Sequence, residues 1–80
     1  MDDNTVLRRI EALADEELEL EESHAESPLT SEQQQRLATI EVELDQCWDL
    51  LRQRRAKRSA GQNPDLAAVR NPEVVEKYLQ

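Results

Sequence analysis

The chain has 80 residues, 38% of them apolar and 35% charged, with one glycine, one tryptophan, one tyrosine and no phenylalanine. This length allows one small domain with a limited core, and the composition suits long polar-surfaced helices better than a β-sandwich or a β-barrel. The formal net charge of −8 argues against a general nucleic-acid or anionic-membrane binder, since such proteins gather phosphates on a basic face. We therefore expect an all-α protein that does not bind membranes.

Two features indicate the compartment. Cys47 is the only cysteine, so no disulfide can form within the chain, which fits a reducing environment. The N-terminus, Met1-Asp2-Asp3-Asn4, lacks the basic region and the apolar run of a signal peptide, and no stretch approaches the roughly 18 apolar residues of a membrane span. These features predict a cytoplasmic protein.

The first predicted helix covers about residues 4–25, with Asn4 or Thr5 as its N-cap. Positions along it recur at alternating spacings of four and three, which places one row on a single helix face: Val6, Ile10, Leu13, Glu17, Leu20 and His24. A second row widens this face on one side, as in the helices of bundles: Leu7, Ala14 and Leu18.

The second predicted helix covers about residues 30–60. Pro28 ends the first helix, because proline cannot continue it, and Thr30 with Gln33 forms a predicted capping box. Gly61 provides the C-terminal stop. The apolar positions of this helix recur mostly at spacings of three and four: Leu37, Ile40, Leu44, Cys47, Trp48 and Leu51.

The short loop between the helices predicts a coiled-coil-like antiparallel hairpin over residues 1–61. Its predicted pairs are Leu20 with Leu37, Leu13 with Leu44, and Val6 with Leu51. At about 1.5 Å per residue the second helix reaches roughly 45 Å, so a lone hairpin is too long and thin to bury both faces of each helix. We therefore expect a homodimer that forms a four-helix bundle, or packing on a protein partner.

The C-terminal part, residues 62–80, is predicted to be a linker followed by a short helix. Asn71 can cap this helix and Pro72 suits its first position. The predicted helix therefore starts at Pro72, and it extends to about Leu79. Eight residues do not hold a helix alone in water. We expect this segment to dock on the end of the hairpin near Trp48.

The charges are distributed unevenly along the chain. Residues 1–49 hold 15 acidic and 3 basic side chains, whereas residues 50–80 hold 3 acidic and 7 basic ones. The two parts should therefore attract each other.

An arginine cluster follows the apolar row of the second helix and consists of Arg54, Arg55 and Arg58. One interpretation is structural, with these side chains paired to Asp2 and Asp3 at the start of the first helix, or to Glu73, Glu76 or the terminal carboxylate. The other is a docking patch for an anionic partner, such as RNA or an acidic protein, through planar guanidinium contacts. Nucleic acid is the less favoured partner, because no aromatic residues are interleaved with the arginines.

Trp48 also has two interpretations. It either fills the space between the helices and the C-terminal segment, or it is an exposed anchor for a partner. The residues predicted to bind a partner are Trp48, Arg54, Arg55 and Arg58.

One enzyme-class alternative depends on Glu21 and His24, which lie one turn apart as in di-metal carboxylate bundles. Glu17 and Glu41 lie near the same face, but such bundles carry the motif twice and this chain carries it once. The single His and single Cys offer no nucleophile–base pair, and one glycine cannot form a glycine-rich phosphate loop. We therefore predict no metal site, cofactor or catalytic residue, and a non-enzymatic protein.

Two runs carry a family resemblance: Leu44-Asp45-Gln46-Cys47-Trp48-Asp49-Leu50-Leu51-Arg52-Gln53-Arg54-Arg55-Ala56 and Val74-Val75-Glu76-Lys77-Tyr78-Leu79-Gln80. They resemble a family of short actinobacterial proteins called domain of unknown function 2630. The length and the hairpin pattern match over the whole chain. The resemblance implies a small cytoplasmic helical protein, and it assigns no activity, ligand or catalytic residue.

Overall fold

A computed structural model describes the backbone of residues 2–79 and the side chains of residues 2–77. Helix α1 is Asp3–His24, helix α2 is Ser31–Ser59, a short 3-10 helix is Pro64–Leu66, and helix α3 is Pro72–Leu79. These described residues contain helices and no strand, so the prediction of an all-α fold is confirmed.

Helix α1 begins with a cap at Asp2. The Asp2 carboxylate accepts a hydrogen bond from the Thr5 amide at 2.7 Å, which lowers the pKa of Asp2. The prediction of Asn4 or Thr5 as the cap is therefore wrong. Aspartate is among the best capping residues, and the reach of its side chain to the third helical amide moves the start of the helix toward the N-terminus.

Helix α2 has the predicted capping signals at both ends. Thr30 Oγ1 accepts from the Gln33 amide at 3.1 Å and Gln33 Oε1 accepts from the Thr30 amide at 2.9 Å, which completes the capping box. At the other end Gly61 has φ +74°, and the Gln62 amide donates to the Lys57 carbonyl at 2.7 Å. This left-handed glycine turns the chain back along α2.

The buried core of the hairpin extends from Leu13 and Ile40 to the end where the chain enters α1 and leaves α2. A cluster near that end contains two residues from each helix, Val6, Ile10, Leu50 and Leu51. The predicted partners Val6 and Leu51 thus share one cluster. Leu44, Cys47 and Ala67 pack against it, and Leu44 is half-buried.

Two ion pairs join α1 to α2 along one side of the hairpin. Arg9 Nη2 lies 2.7 Å from Glu43 Oε2, and Arg36 binds both carboxylate oxygens of Glu16. The hydrogen bond from Arg36 lowers the pKa of Glu16. Arg9 precedes Glu16 in α1, whereas its partner Glu43 follows Arg36 in α2, so the two helices are antiparallel.

The chain after Gly61 runs back along α2. Both the 3-10 helix and α3 contact α2, and Val75 of α3 is fully buried. The molecule is elongated, with extents of 50 × 25 × 16 Å. Among the described helices, none combines the length and the apolar character needed to cross a membrane.

Candidate interaction surface

Arg54 lies inside the molecule, with 5% of its surface exposed. Its Nε donates to Asp3 Oδ1, and its Nη1 donates to the Pro64 carbonyl at 3.2 Å and to Asp65 Oδ1 at 3.0 Å. Hydrogen bonds to Asp3 and then to Asp65 raise the pKa of Arg54. Arg54 therefore ties the start of α1 and the 3-10 helix to the end of α2.

Arg58 joins the same group through Asp3. Its Nη2 lies 2.8 Å from Asp3 Oδ2, and its Nη1 donates to Asp3 Oδ1 at 3.1 Å. Hydrogen bonds from Arg58 and Arg54 lower the pKa of Asp3 to about 2. The structural interpretation of the arginine cluster therefore applies to two of its three members, with Asp3 as the partner, whereas Asp2 caps α1.

Arg55 has a different environment although it follows Arg54 directly. It is exposed, and within residues 2–77 it has no ion pair or hydrogen bond. Arg52 is likewise exposed and has no such partner among the described side chains. Of the predicted anion-docking residues, Arg55 alone has its guanidinium in solvent and not engaged with this chain's own carboxylates.

Trp48 is 47% exposed although the C-terminal segment is docked. It lies seven residues, or about two turns, before Arg55, so the two side chains project from the same side of α2. The structure therefore brings together two of the four predicted partner-binding residues on one exposed surface and places Arg54 and Arg58 in intrachain ion pairs.

The C-terminal segment docks through polar side chains of α2 that we did not single out from the sequence. The fully buried Asp49 accepts from Arg70 Nε at 2.9 Å and also pairs with Arg70 Nη2. Gln53 Nε2 donates to Asp49 Oδ2 at 2.9 Å and to the Ala68 carbonyl at 2.8 Å. Gln46 Nε2 donates to the Arg70 carbonyl at 3.1 Å.

These contacts explain part of the run Leu44–Ala56. Gln46, Asp49 and Gln53 follow one another at spacings of three and four, which places them on one face of α2. The hydrogen bond from Arg70 lowers the pKa of Asp49. Among the described side chains, no buried polar atom is left without a partner. This polar face therefore holds the returning chain and is fully occupied by it.

The opposite side of the hairpin carries mostly apolar side chains, with the exposed Glu11 among those of α1. In α1, Leu7, Ala14 and Leu18 lie about 140–180° around the helix from Arg9 and Glu16, which form the ion pairs with α2. In α2, Leu37, Leu44 and Trp48 lie about 80–140° around the helix from the ion-pair residues Arg36 and Glu43. Because the ion pairs mark one side of an antiparallel pair, the two apolar rows lie next to each other on the other side.

We call this surface the apolar face and define it as Leu7, Ala14, Leu18, Leu37, Leu44 and Trp48. Leu7 is 45% exposed and Leu18 is 54% exposed, similar to Trp48. Ala14 is also exposed, whereas Leu37 and Leu44 are half-buried. The face thus spans both long helices and presents large apolar side chains to solvent.

Glu21 and His24, on which the di-metal alternative depends, are both exposed near the end of α1. Within the part of the chain that the structure describes, no three His, Cys, Asp or Glu side chains converge on a metal position.

Comparison with known proteins gives a family and no activity. Three curated relatives, one from Mycobacterium bovis and two from strains of Mycobacterium tuberculosis, are each called uncharacterized protein. Each is 62% identical over 48 residues, which are 60% of this chain and 55% of the relative, so the match spans about half of each relative. No solved structure matches the chain. The family described as Protein of unknown function (DUF2630) matches residues 2–80, and the chain belongs to this family.

Proposed function

We propose that this protein is a non-enzymatic helical interaction module that binds a protein partner by helix packing at the apolar face. The observation that carries the proposal is the exposure of Leu7, Leu18 and Trp48 on one side of the hairpin. Clustered apolar side chains of this size are unfavourable in water, and burial against a partner removes them from it. Trp48 supplies the large aromatic anchor that is typical of such interfaces.

The charged residues support this proposal by being engaged elsewhere. Arg54 and Arg58 hold the start of α1 against α2, and Asp49 holds the C-terminal segment there. Of the three arginines in the anion-docking alternative, Arg55 is therefore the one without an intrachain ion pair among the described residues. The proposal includes a cytoplasmic location, because the unpaired Cys47 suits a reducing compartment.

The proposal is tested by placing a charge on the apolar face. Leu18→Glu puts a carboxylate within the face, near its loop end, and Val69→Glu makes the same change at a similarly exposed position in the C-terminal segment, which is 59% exposed. Native mass spectrometry at modest salt, on protein purified from the cells that make it, measures the associated chains. Circular dichroism checks that both variants remain helical.

We expect the wild type and Val69→Glu to retain an associated protein chain and Leu18→Glu to lose it. An association that is unchanged in Leu18→Glu would exclude the apolar face as the interaction surface. A wild type with no associated chain at any concentration would contradict the proposal itself.

A further inference from the structure

We infer that the apolar face binds a second copy of this chain in antiparallel orientation, so that the loop end of one hairpin lies against the open end of the other. This inference rests on the proposed function. The loop end is defined as residues 15–36, and the open end as residues 2–9 together with residues 50–65. The two copies would form a four-helix bundle in which neighbouring helices are antiparallel.

The two ends of the hairpin carry opposite charge. The loop end has 8 acidic side chains and 1 basic one, whereas the open end has 7 basic and 3 acidic ones. An antiparallel dimer therefore places each acidic end against the partner's basic end. A parallel dimer would place the two acidic ends together, and like charges across an interface disfavour such an arrangement.

The charges also lie at the correct places around the helices. In α1, Leu7, Ala14 and Glu21 are spaced by seven, so the apolar row ends in an exposed carboxylate at the loop end. In α2, Trp48 and Arg55 are spaced by seven, so that row ends in an exposed guanidinium at the open end. The apolar face is therefore bounded by a negative group at one end and by a positive group at the other.

These boundary charges are available to a partner. Arg55 has no ion pair or hydrogen bond within residues 2–77, and Glu21 has none either. Packed helices are separated by about 8–10 Å, which is close to the Debye length of about 10 Å at 0.1 M ionic strength. Salt therefore screens the attraction between opposite ends only in part.

The size of the face also suits a second copy. Two helices side by side are about 20 Å wide, and the 22 residues of α1 are about 33 Å long. A surface of this size offers roughly 650 Å² per partner, which approaches the roughly 800 Å² per partner of a standard stable interface. A second hairpin has the same dimensions and covers the face along its whole length.

The orientation is tested by electron spin resonance distance measurement. Ser27 lies in the exposed loop between α1 and α2, and Ser27→Cys in a Cys47→Ser background allows one nitroxide label per chain. Antiparallel copies place the two labels at opposite ends of the bundle, about 30–40 Å apart, whereas parallel copies place them within about 20 Å. Sedimentation equilibrium of the labelled protein gives the fraction of dimer.

We expect a dimer with the long label distance. A dimer with the short distance would overturn the antiparallel arrangement while leaving helix packing at the apolar face intact. A pure protein that stays monomeric at millimolar concentration would overturn the inference of a second copy. The comparison of Leu18→Glu with Val69→Glu would still decide the proposed function in that case, because it also detects a different protein as the partner.

A charge reversal provides an independent test. Arg55→Glu changes the charge that bounds the apolar face, and Lys57→Glu makes the same change at the same end of α2 but about 160° around the helix. In the antiparallel dimer, Arg55→Glu weakens dimerisation several-fold more than Lys57→Glu, as measured by sedimentation. Tighter dimerisation of Arg55→Glu would indicate that two open ends meet, and would contradict the inference.

Discussion

Asp3 joins two arginines of α2 at the first turn of α1. Arg54 and Arg58 both donate to its carboxylate, and the amide groups of the helix N-terminus also favour negative charge there. These hydrogen bonds explain why the pKa of Asp3 falls from 3.8 to about 2. A group whose pKa is lower in the folded state stabilises the fold when it is ionised.

We expect the contribution of Asp3 to the free energy of unfolding to be fully present above pH 4. It should be lost as the pH falls from about 4 to about 2, because the unfolded chain takes up a proton at Asp3 before the folded chain does. Urea denaturation at a series of pH values measures this loss. In Asp3→Asn the group cannot ionise, so this variant should be less stable than wild type at pH 7 and the difference should narrow toward pH 2.

The matched control for this prediction is Asp15→Asn, which removes an exposed carboxylate that has no ion pair or hydrogen bond among the described residues. Asp49 and Glu16 also have lowered pKa values. Their protonation therefore lowers the free energy of unfolding at low pH in the wild type and in both variants. The informative quantity is therefore the difference between Asp3→Asn and wild type. A difference that is constant from pH 7 to pH 2 would show that the ion pairs of Asp3 contribute no net stability.

At the scale of elements, the C-terminal segment depends on a few side chains of α2. Leu66, Val69 and Val74 of this segment are exposed, whereas Val75 is fully buried and Ala67 packs against the hairpin core. The hydrogen bonds from Gln46, Gln53 and Arg70 add polar contacts to this packing. A helix of eight residues persists only while this docking holds it in place.

We expect Asp49→Asn to lower the free energy of unfolding by about 1–3 kcal/mol, because the buried side chain at position 49 loses the negative charge that pairs with Arg70. Urea denaturation measures this change, and amide exchange of α3 reports whether the segment is released. Asp45→Asn is the control, since Asp45 has no ion pair among the described side chains and should change stability by less than about 0.5 kcal/mol. Equal effects of the two variants would show that the Asp49–Arg70 pair does not hold the segment.

The helices follow from local chemistry that the sequence displays. Helix α2 starts at a capping box and stops before Gly61. Both bounds can be predicted from the sequence because both signals depend on residue types at fixed spacings. The start of α1 is not fixed by residue type alone, since Asp2, Asn4 and Thr5 can all cap a helix. The carboxylate of Asp2 is the group that reaches a free amide in the structure.

The docking of the C-terminal segment could not be predicted in the same way. Gln46 and Gln53 bind the backbone carbonyls of Arg70 and Ala68, and every residue has a carbonyl, so the sequence carries no pattern for such contacts. The 3-10 helix was missed for a related reason, because its Asn63 cap and Pro64 resemble an ordinary turn. The sequence predicts docking near Trp48 because Trp48 and the end of the hairpin are the nearest sites. The pairing of Asp49 with Arg70 joins residues 21 positions apart and so leaves no local pattern in the sequence.

At the scale of the whole molecule, the roles of the clustered arginines cannot be predicted from composition alone. Arg54 and Arg55 are neighbours in the chain, but about 100° of helical rotation separates them. The first is buried between Asp3 and Asp65, and the second is exposed beside the apolar face. Charged residues on one side of α2 therefore form ion pairs that stabilise the fold. On the other side, the exposed Arg55 lies next to the apolar face.

This arrangement makes Trp48 a direct reporter of association. It is 47% exposed in a single chain and lies within the apolar face, so packing of a partner there should remove it from water. We expect the tryptophan emission maximum of the wild type to move to longer wavelength on dilution, over the concentration range in which sedimentation shows dissociation. Leu18→Glu should show the long-wavelength emission at all concentrations, whereas Val69→Glu should follow the wild type. Since Trp48 is the only tryptophan, no other residue contributes to the shift. Emission that stays constant while the sedimentation mass changes would mean that copies associate through a surface other than the apolar face.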